Sequence, residues 1–257
     1  MVKANALITD YNNTFVPGYE EIALAYALMS RAVRELRVSK ALRLFLYEQP
    51  RCWYLTIAHK LDRVGQVFAE SVLQGEDPEY IRQVLERPDS FLYRMARESP
   101  KIGPKMDTRP IPLAAYVVEQ AKKKGKKTGI YSASFQEVIE ASLRRYGRLG
   151  IFDFIYGNPF IVENGRITGI QTRVDWSDKG IGFENLLESH GLPKDGSGVI
   201  FVGDSPPDIG VLKRVEYPVI APTAKPEFRD RCVNELGSVR VLVPRTWEGI
   251  ARIFEFD

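Results

Sequence analysis

Four short stretches hold residue types that can do chemistry: "ALITDYNNTF" (6–15), "IYSAS" (130–134), "SDKG" (177–180) and "VGDSPPD" (202–208). In three of them an apolar run ends on polar residues, at Asp10, at Ser132 and at Asp204, with Asp208 a turn further on. Carboxylates without a neighbouring cysteine or histidine form a hard oxygen donor set. Mg²⁺ prefers such a set and keeps part of its coordination for water and substrate phosphate oxygens. Ser132, read as the start of a helix, offers a hydroxyl and nearby backbone donors to an anion. Lys179, also read at a helix start, can neutralise a transferring phosphoryl group. Asp10 would then be a carboxylate nucleophile that forms an acyl-phosphate, which water later breaks.

These residues need a scaffold that brings strand ends together, and the pattern supplies one. Residues 5–9 read as a short buried strand. Helix 112–124, strand 127–134, helix 135–146, strand 152–157, helix 179–190, strand 198–205 and strand 217–222 follow in alternation, with a hairpin over 160–170 turning at Asn164-Gly165. Alternation of this kind predicts right-handed crossovers and a parallel sheet covered on both faces, an α/β fold. In such sheets ligands bind beyond the carboxyl ends of the strands. Asp10, Ser132 and Asp204 occupy those ends.

Between the first strand and Pro110 the pattern is helical throughout. "EEIALAYALMSRAVREL" (20–36), "SKALRLFLYEQP" (39–50) and "LTIAHKLDRVGQVFAESVLQG" (55–75) are followed by "DPEYIRQVLERP" (77–88), where Asp77 caps and Pro78 takes the first helical position. Residues 18–106 therefore read as a helical insertion. Glu20, Arg51, Lys60 and Arg63 are its candidates to face the crevice, and "RCWYLT" (51–56) is a candidate aromatic wall, although solvation or helix packing is the commoner fate of such residues.

Composition excludes several function classes. The chain has 257 residues, 44% hydrophobic and 27% charged, which is ordinary for a soluble globular protein. With 36 basic against 33 acidic residues the net charge is +3, so a nucleic-acid footprint would have to be local, and no nucleic-acid partner is expected. The dense run "KKKGKK" (122–127) reads as the last turn of a helix closed by a left-handed Gly125. Cys52 and Cys232 match no metal spacing and suit a reducing compartment. His59 and His190 lie in no nucleophile motif. No apolar run approaches the roughly 20 residues of a membrane span, and the N-terminal segment has no signal-peptide pattern, so a cytoplasmic location is expected.

The four stretches, in this order, resemble the motifs of the haloacid dehalogenase (HAD) superfamily of phosphohydrolases. "DYNNT" is similar to the first motif, "IYSAS" to the second, "DKG" to the third and "VGDSPPD" to the fourth, while "APTAKPEF" (221–228) is similar to the segment that usually follows. The insertion resembles a C1-type cap, and "IVENGRITG" (161–169) the phosphoserine-phosphatase-like branch. The resemblance implies a Rossmann-like core over 1–17 and 107–257, with 18–106 as a helical cap. It implies Asp10 as nucleophile and Mg²⁺ ligand, Asn12 as a ligand through its backbone carbonyl and Asp204 as the third. Ser132, Ala133 and Lys179 would hold the phosphate of a small phosphorylated metabolite. Thr14, Ser205 and Asp208 would support the site.

One position departs from the family pattern. The resemblance places a second aspartate at position 12, where it protonates the leaving alcohol and then activates water; here Asn12 stands instead. An amide keeps the backbone carbonyl and the shape but carries no titrating proton. Four readings follow: a slow phosphatase for esters with good leaving groups, a phosphotransferase-like member with a persistent intermediate, a phosphometabolite-binding or regulatory protein, or an Asp-to-Asn change introduced to trap a complex. Neither the physiological substrate nor the oligomeric state is legible.

Overall fold

The computed structural model describes residues 4–34, 73–86, 91–238 and 241–253. Arg51, Lys60, Arg63, the "RCWYLT" stretch, the helix expected over 39–50 and most of that over 55–75 lie outside the described residues. The strands are β1 (Ala6–Thr9), β2 (Lys127–Phe135), β3 (Phe154–Asn158), β4 (Phe160–Glu163), β5 (Arg166–Ile170), β6 (Val199–Gly203) and β7 (Tyr217–Ile220). The described helices are α1 (Glu20–Arg34), α2 (Pro78–Glu86), α3 (Phe91–Glu98), α4 (Pro112–Lys123), α5 (Gln136–Arg145), α6 (Phe183–Ser189), α7 (Ile209–Leu212), α8 (Pro226–Leu236) and α9 (Trp247–Ile253).

Five strands form one sheet in the order β3-β2-β1-β6-β7, and every pairing is parallel. The chain builds one side of β1 first and then crosses to the other. The switch point therefore lies between β1 and β6, which is where an open α/β sheet leaves a crevice. Register aligns the two edges of that crevice, since Thr9 sits opposite Ile130 on one side and Val202 on the other. Asp10, Ser132 and Asp204 consequently leave the sheet at nearly one level.

Side chains alternate across the sheet with the period of two expected of strands. Leu7 packs with Val118, Trp247 and Ile250 on one face, and Ala6 and Ile8 pack with Phe183, Leu186 and Leu212 on the other. A fully buried ring such as Phe201 contributes about 1.5–3 kcal/mol by leaving water. A third cluster joins Leu24 and Leu28 of α1, Ile81 and Val84 of α2 and Tyr93 of α3 to Val138 of α5 and to Phe160 and Ile167 of the β4–β5 hairpin. Helices α1 and α2 thus pack against α5, and α3 packs on α1.

Capping and turn signals read from the sequence hold at Asp77, Asn164-Gly165 and Gly125. The Asp77 carboxylate accepts the Glu79 N–H at 2.8 Å, capping α2. Asn164 and Gly165 both have positive φ at the hairpin turn. Gly125, with φ of 72°, ends α4 while the Lys126 N–H reaches back to the Ala121 carbonyl at 3.0 Å. Lys122 pairs with Asp153 at 3.0 Å and Lys127 donates to the His190 carbonyl. The lysine run is a helix end. No helix among the described residues is long and apolar enough to cross a membrane.

Candidate active site

The loop after β1 is held from below by its own aromatic residues. Tyr11 and Phe15 are fully buried, stack on each other at 6.3 Å, and Phe15 meets Phe152 edge-on at 5.1 Å. With these rings in the core, Asp10 must leave toward the crevice. Its N–H continues the ladder to the Val202 carbonyl at 2.9 Å.

Asp10, Asp204 and Asp208 each present a carboxylate oxygen, all within 4.8 Å of one another. Lys179 Nζ lies 2.6 Å from Asp10 Oδ1 and 2.8 Å from Asp208 Oδ1. Thr14 Oγ1 donates to Asp204 Oδ1 at 2.9 Å. The other oxygen of Asp208 accepts from the Asp204 N–H, the Ser205 N–H and the Ser205 hydroxyl, each at 3.0 Å. Asp208 therefore has two duties: it positions Lys179, and it shapes the turn that presents Asp204. Gly203 permits this, because a Cβ there would lie 2.8 Å from the Asp208 carboxylate.

Electrostatics mark the cluster as short of positive charge. Burial pushes Asp10 up to about 6, against the attraction of Lys179 and with repulsion from Asp208 added. Burial raises Asp204 well above the ordinary carboxylate range, with Asp10 and Asp208 repelling it further. For Lys179, burial opposes the charge, but the two paired carboxylates outweigh it and hold the ammonium well above its usual value. Among the described residues, one ammonium, that of Lys179, pairs with two of these carboxylates and acts on the third by its charge. The deficit of positive charge, and a donor set made only of oxygen, fit a divalent hard cation.

Lys179 is placed by its backbone. Its N–H donates to the Pro207 carbonyl at 2.9 Å, and its carbonyl accepts from the buried Tyr131 hydroxyl at 2.7 Å. The loop also rests on Gly210, where a Cβ would meet Asp178 Oδ1 at 2.0 Å and the Gly180 backbone at 2.9 Å. Gly210→Ala is expected to destabilise the fold by about 1–3 kcal/mol and lower Tm by several degrees in a thermal melt. An unchanged Tm would mean that the loop does not need this approach.

Two expected placements are corrected. Ser132 is not at a helix start: β2 runs on to Phe135, and α5 begins at Gln136. The pairing with β3 slips there, Tyr131 facing Tyr156 but Phe135 facing Asn158, so Ser132, Ala133 and Ser134 form a bulge. Bulges beside functional sites re-aim side chains. Asn158 stabilises this one by donating to the Ala133 carbonyl at 2.8 Å and the Val174 carbonyl at 3.0 Å. Lys179 likewise precedes its helix, which begins at Phe183, and sits in the loop before it.

Glu20 differs from its expected placement too. It is buried, accepts the Tyr11 hydroxyl at 2.8 Å, and burial pushes its carboxyl up to about 8. The neighbouring Glu21, which no local signal singles out, is the one whose carboxylate reaches position 12: Asn12 Nδ2 donates to Glu21 Oε2 at 3.2 Å, and the Ser134 hydroxyl donates to Glu21 Oε1. Thr223, in the segment after β7, donates its hydroxyl to the carbonyl of Asn13, the residue with φ of 55° that turns the loop.

A parallel α/β sheet with an acidic cluster and a lysine at its switch point is an arrangement that can take a divalent cation and a phosphoryl group. The model of the haloacid dehalogenase-like hydrolases matches residues 23–213, and the chain belongs to that family. Among solved structures it is similar to a substrate-bound phosphoserine phosphatase, with 16% identity, 98% of each chain covered and a TM-score of 0.57. A HAD family hydrolase from Salmonella enterica serovar Typhi matches with 19% identity over 90% of this chain and 66% of that one, at a TM-score of 0.58. A protein from Bordetella pertussis Tohama I described as of unknown function matches with 16% identity over 92% and 97%, at 0.65. At these identities the likeness is one of fold. No curated protein matches.

Proposed function

We propose that the protein is a Mg²⁺-dependent phosphomonoester hydrolase acting on a small phosphorylated metabolite through an aspartyl-phosphate at Asp10. The observation that carries this reading is the Asp10, Asp204 and Asp208 cluster at the switch point, with Lys179 paired to Asp10 and Asp208. Asp10, Asp204 and the Asn12 carbonyl would hold Mg²⁺, which when bound supplies neutralising charge to the phosphoryl oxygens. Asp10 attacks phosphorus, the bond to the alcohol oxygen breaks, and water then attacks the acyl-phosphate to release inorganic phosphate. Lys179 and the Ser132–Ala133 bulge hold the phosphoryl group, and Thr14, Ser205 and Asp208 keep the carboxylates in place. On the same reading residues 18–106 are the C1-type cap over a core of 1–17 and 107–257.

Asn12 cannot protonate the leaving group, so esters are sorted by their alcohols. With MgCl₂ present, an aryl phosphate is expected to turn over at least about 10²-fold faster than an alkyl phosphate. Absence of turnover on both, with saturable binding of a phosphometabolite, would establish the binding-protein reading that the amide at position 12 otherwise favours. Calorimetric titration with MgCl₂ is expected to show saturable binding to the native protein and a loss of about tenfold or more in affinity for Asp204→Ala. Equal affinity in both would remove Asp204 from the metal site.

A further inference from the structure

We propose that Glu21 is a positioning residue that makes an amide, not a carboxylate, the working side chain at position 12. Glu21 lies in the first turn of α1, and Ser134 lies in the β2 bulge 113 positions away. One carboxylate accepts from both neighbours: its Oε2 takes the Asn12 Nδ2 hydrogen at 3.2 Å and its Oε1 the Ser134 hydroxyl. Glu21 and Ser134 are buried, at 9% and 2% exposure. The remaining half of the Asn12 amide, Oδ1, faces the Glu20 N–H at the start of the same helix, at 3.4 Å.

The consequence follows from counting donors and acceptors. Both Glu21 carboxylate oxygens accept as the structure stands, and Asn12 supplies the N–H donor that a carboxylate at position 12 lacks. A carboxylate at position 12 would set two acceptor oxygens about 3.2 Å apart in a buried site, with no N–H between them. The substitution would cost the hydrogen bond as well. Asn12 and Ser134 each stand two residues beyond a site residue, Asp10 and Ser132. By holding both, Glu21 keeps the loop after β1 in register with the phosphate-binding bulge.

A reversed pair can satisfy every group again. In N12D/E21Q, the side-chain amide nitrogen at position 21 would donate to the carboxylate at position 12, while the amide oxygen still accepts the Ser134 hydroxyl. That carboxylate would still face the positive N-terminus of α1, where an anion is favoured. Position 12 would then carry a carboxyl group with its hydrogen bond restored in the opposite direction.

The test is a double-mutant cycle over the native protein, N12D, E21Q and N12D/E21Q, read first by thermal unfolding. N12D is expected to lower Tm by about 3 °C or more, and the double variant to recover most of that loss. A double variant no more stable than N12D, or strict additivity of the two changes, overturns the proposal. The second readout rests on the phosphatase reading: alkyl phosphate hydrolysis should be about tenfold or more faster in N12D/E21Q than in N12D, because in the pair a donor at position 21 holds the carboxyl group at position 12 in the place of the native amide. N12D alone matching the double variant on alkyl phosphates would also overturn it. If no member of the cycle turns over any phosphomonoester, the phosphatase reading fails, and the unfolding cycle still decides the role of Glu21.

Discussion

Asp10→Asn is expected to abolish turnover of an aryl phosphate, by about 10⁴-fold or more, because it removes the attacking oxygen while keeping the shape of the loop. The loop is held from elsewhere: Tyr11 and Phe15 remain in the core, and the backbone N–H of residue 10 remains on the Val202 carbonyl. Circular dichroism should therefore be unchanged, so that a lost rate can be read as lost chemistry. Initial rates with saturating MgCl₂ measure it. Retention of a tenth of the native rate would exclude Asp10 as nucleophile and would move the search to Asp204, the other carboxylate at a strand end.

The second large effect concerns Lys179. Its ammonium sits between Asp10 at 2.6 Å and Asp208 at 2.8 Å, its side chain is only 6% exposed, and its charge acts on Asp204 as well. Lys179→Met leaves that negative charge buried without its partner, a change that costs about 3–5 kcal/mol when one member of a buried pair is removed. Tm should fall by roughly 10 °C. MgCl₂ should then raise Tm more in the variant than in the native protein, since a bound cation stabilises only the folded state and here relieves a larger repulsion. The rate should fall by about 10²- to 10³-fold even at saturating metal, because phosphoryl charge loses a fixed donor. A variant as stable as the native protein, with the same response to MgCl₂, would show that the carboxylates do not depend on Lys179.

Much of the scaffold was legible because its signals are local. The apolar runs that end at Asp10 and Asp204 are strands whose chemistry stands at their carboxyl ends, and the Ser205-to-Asp208 spacing that shapes the fourth motif is a capping box within four residues. Asn164-Gly165 and Gly125 announced their turns by backbone preference. The placement of Ser132 was not legible. Whether a strand continues through a bulge or yields to a helix depends on what its neighbour pairs with, and here Asn158 on β3 settles it.

Glu20 and Glu21 show the limit most clearly. Adjacent, identical side chains on a helix point about 100° apart, so their fates depend on how α1 is rotated against the core, which composition and spacing do not record. Packing of Leu24 and Leu28 into the cluster with α5 sets that rotation, sending Glu20 to Tyr11 and Glu21 to Asn12 and Ser134. By itself the sequence determined which residues could carry charge to a phosphate and that a parallel sheet would deliver them to one crevice, because strand and turn preferences act over a few residues. Only the tertiary structure decided that Lys179 lies between two carboxylates and that Asn12 donates to Glu21. Those contacts join residues up to 169 apart in the chain, as Asp10 and Lys179 are, and follow from register and helix rotation.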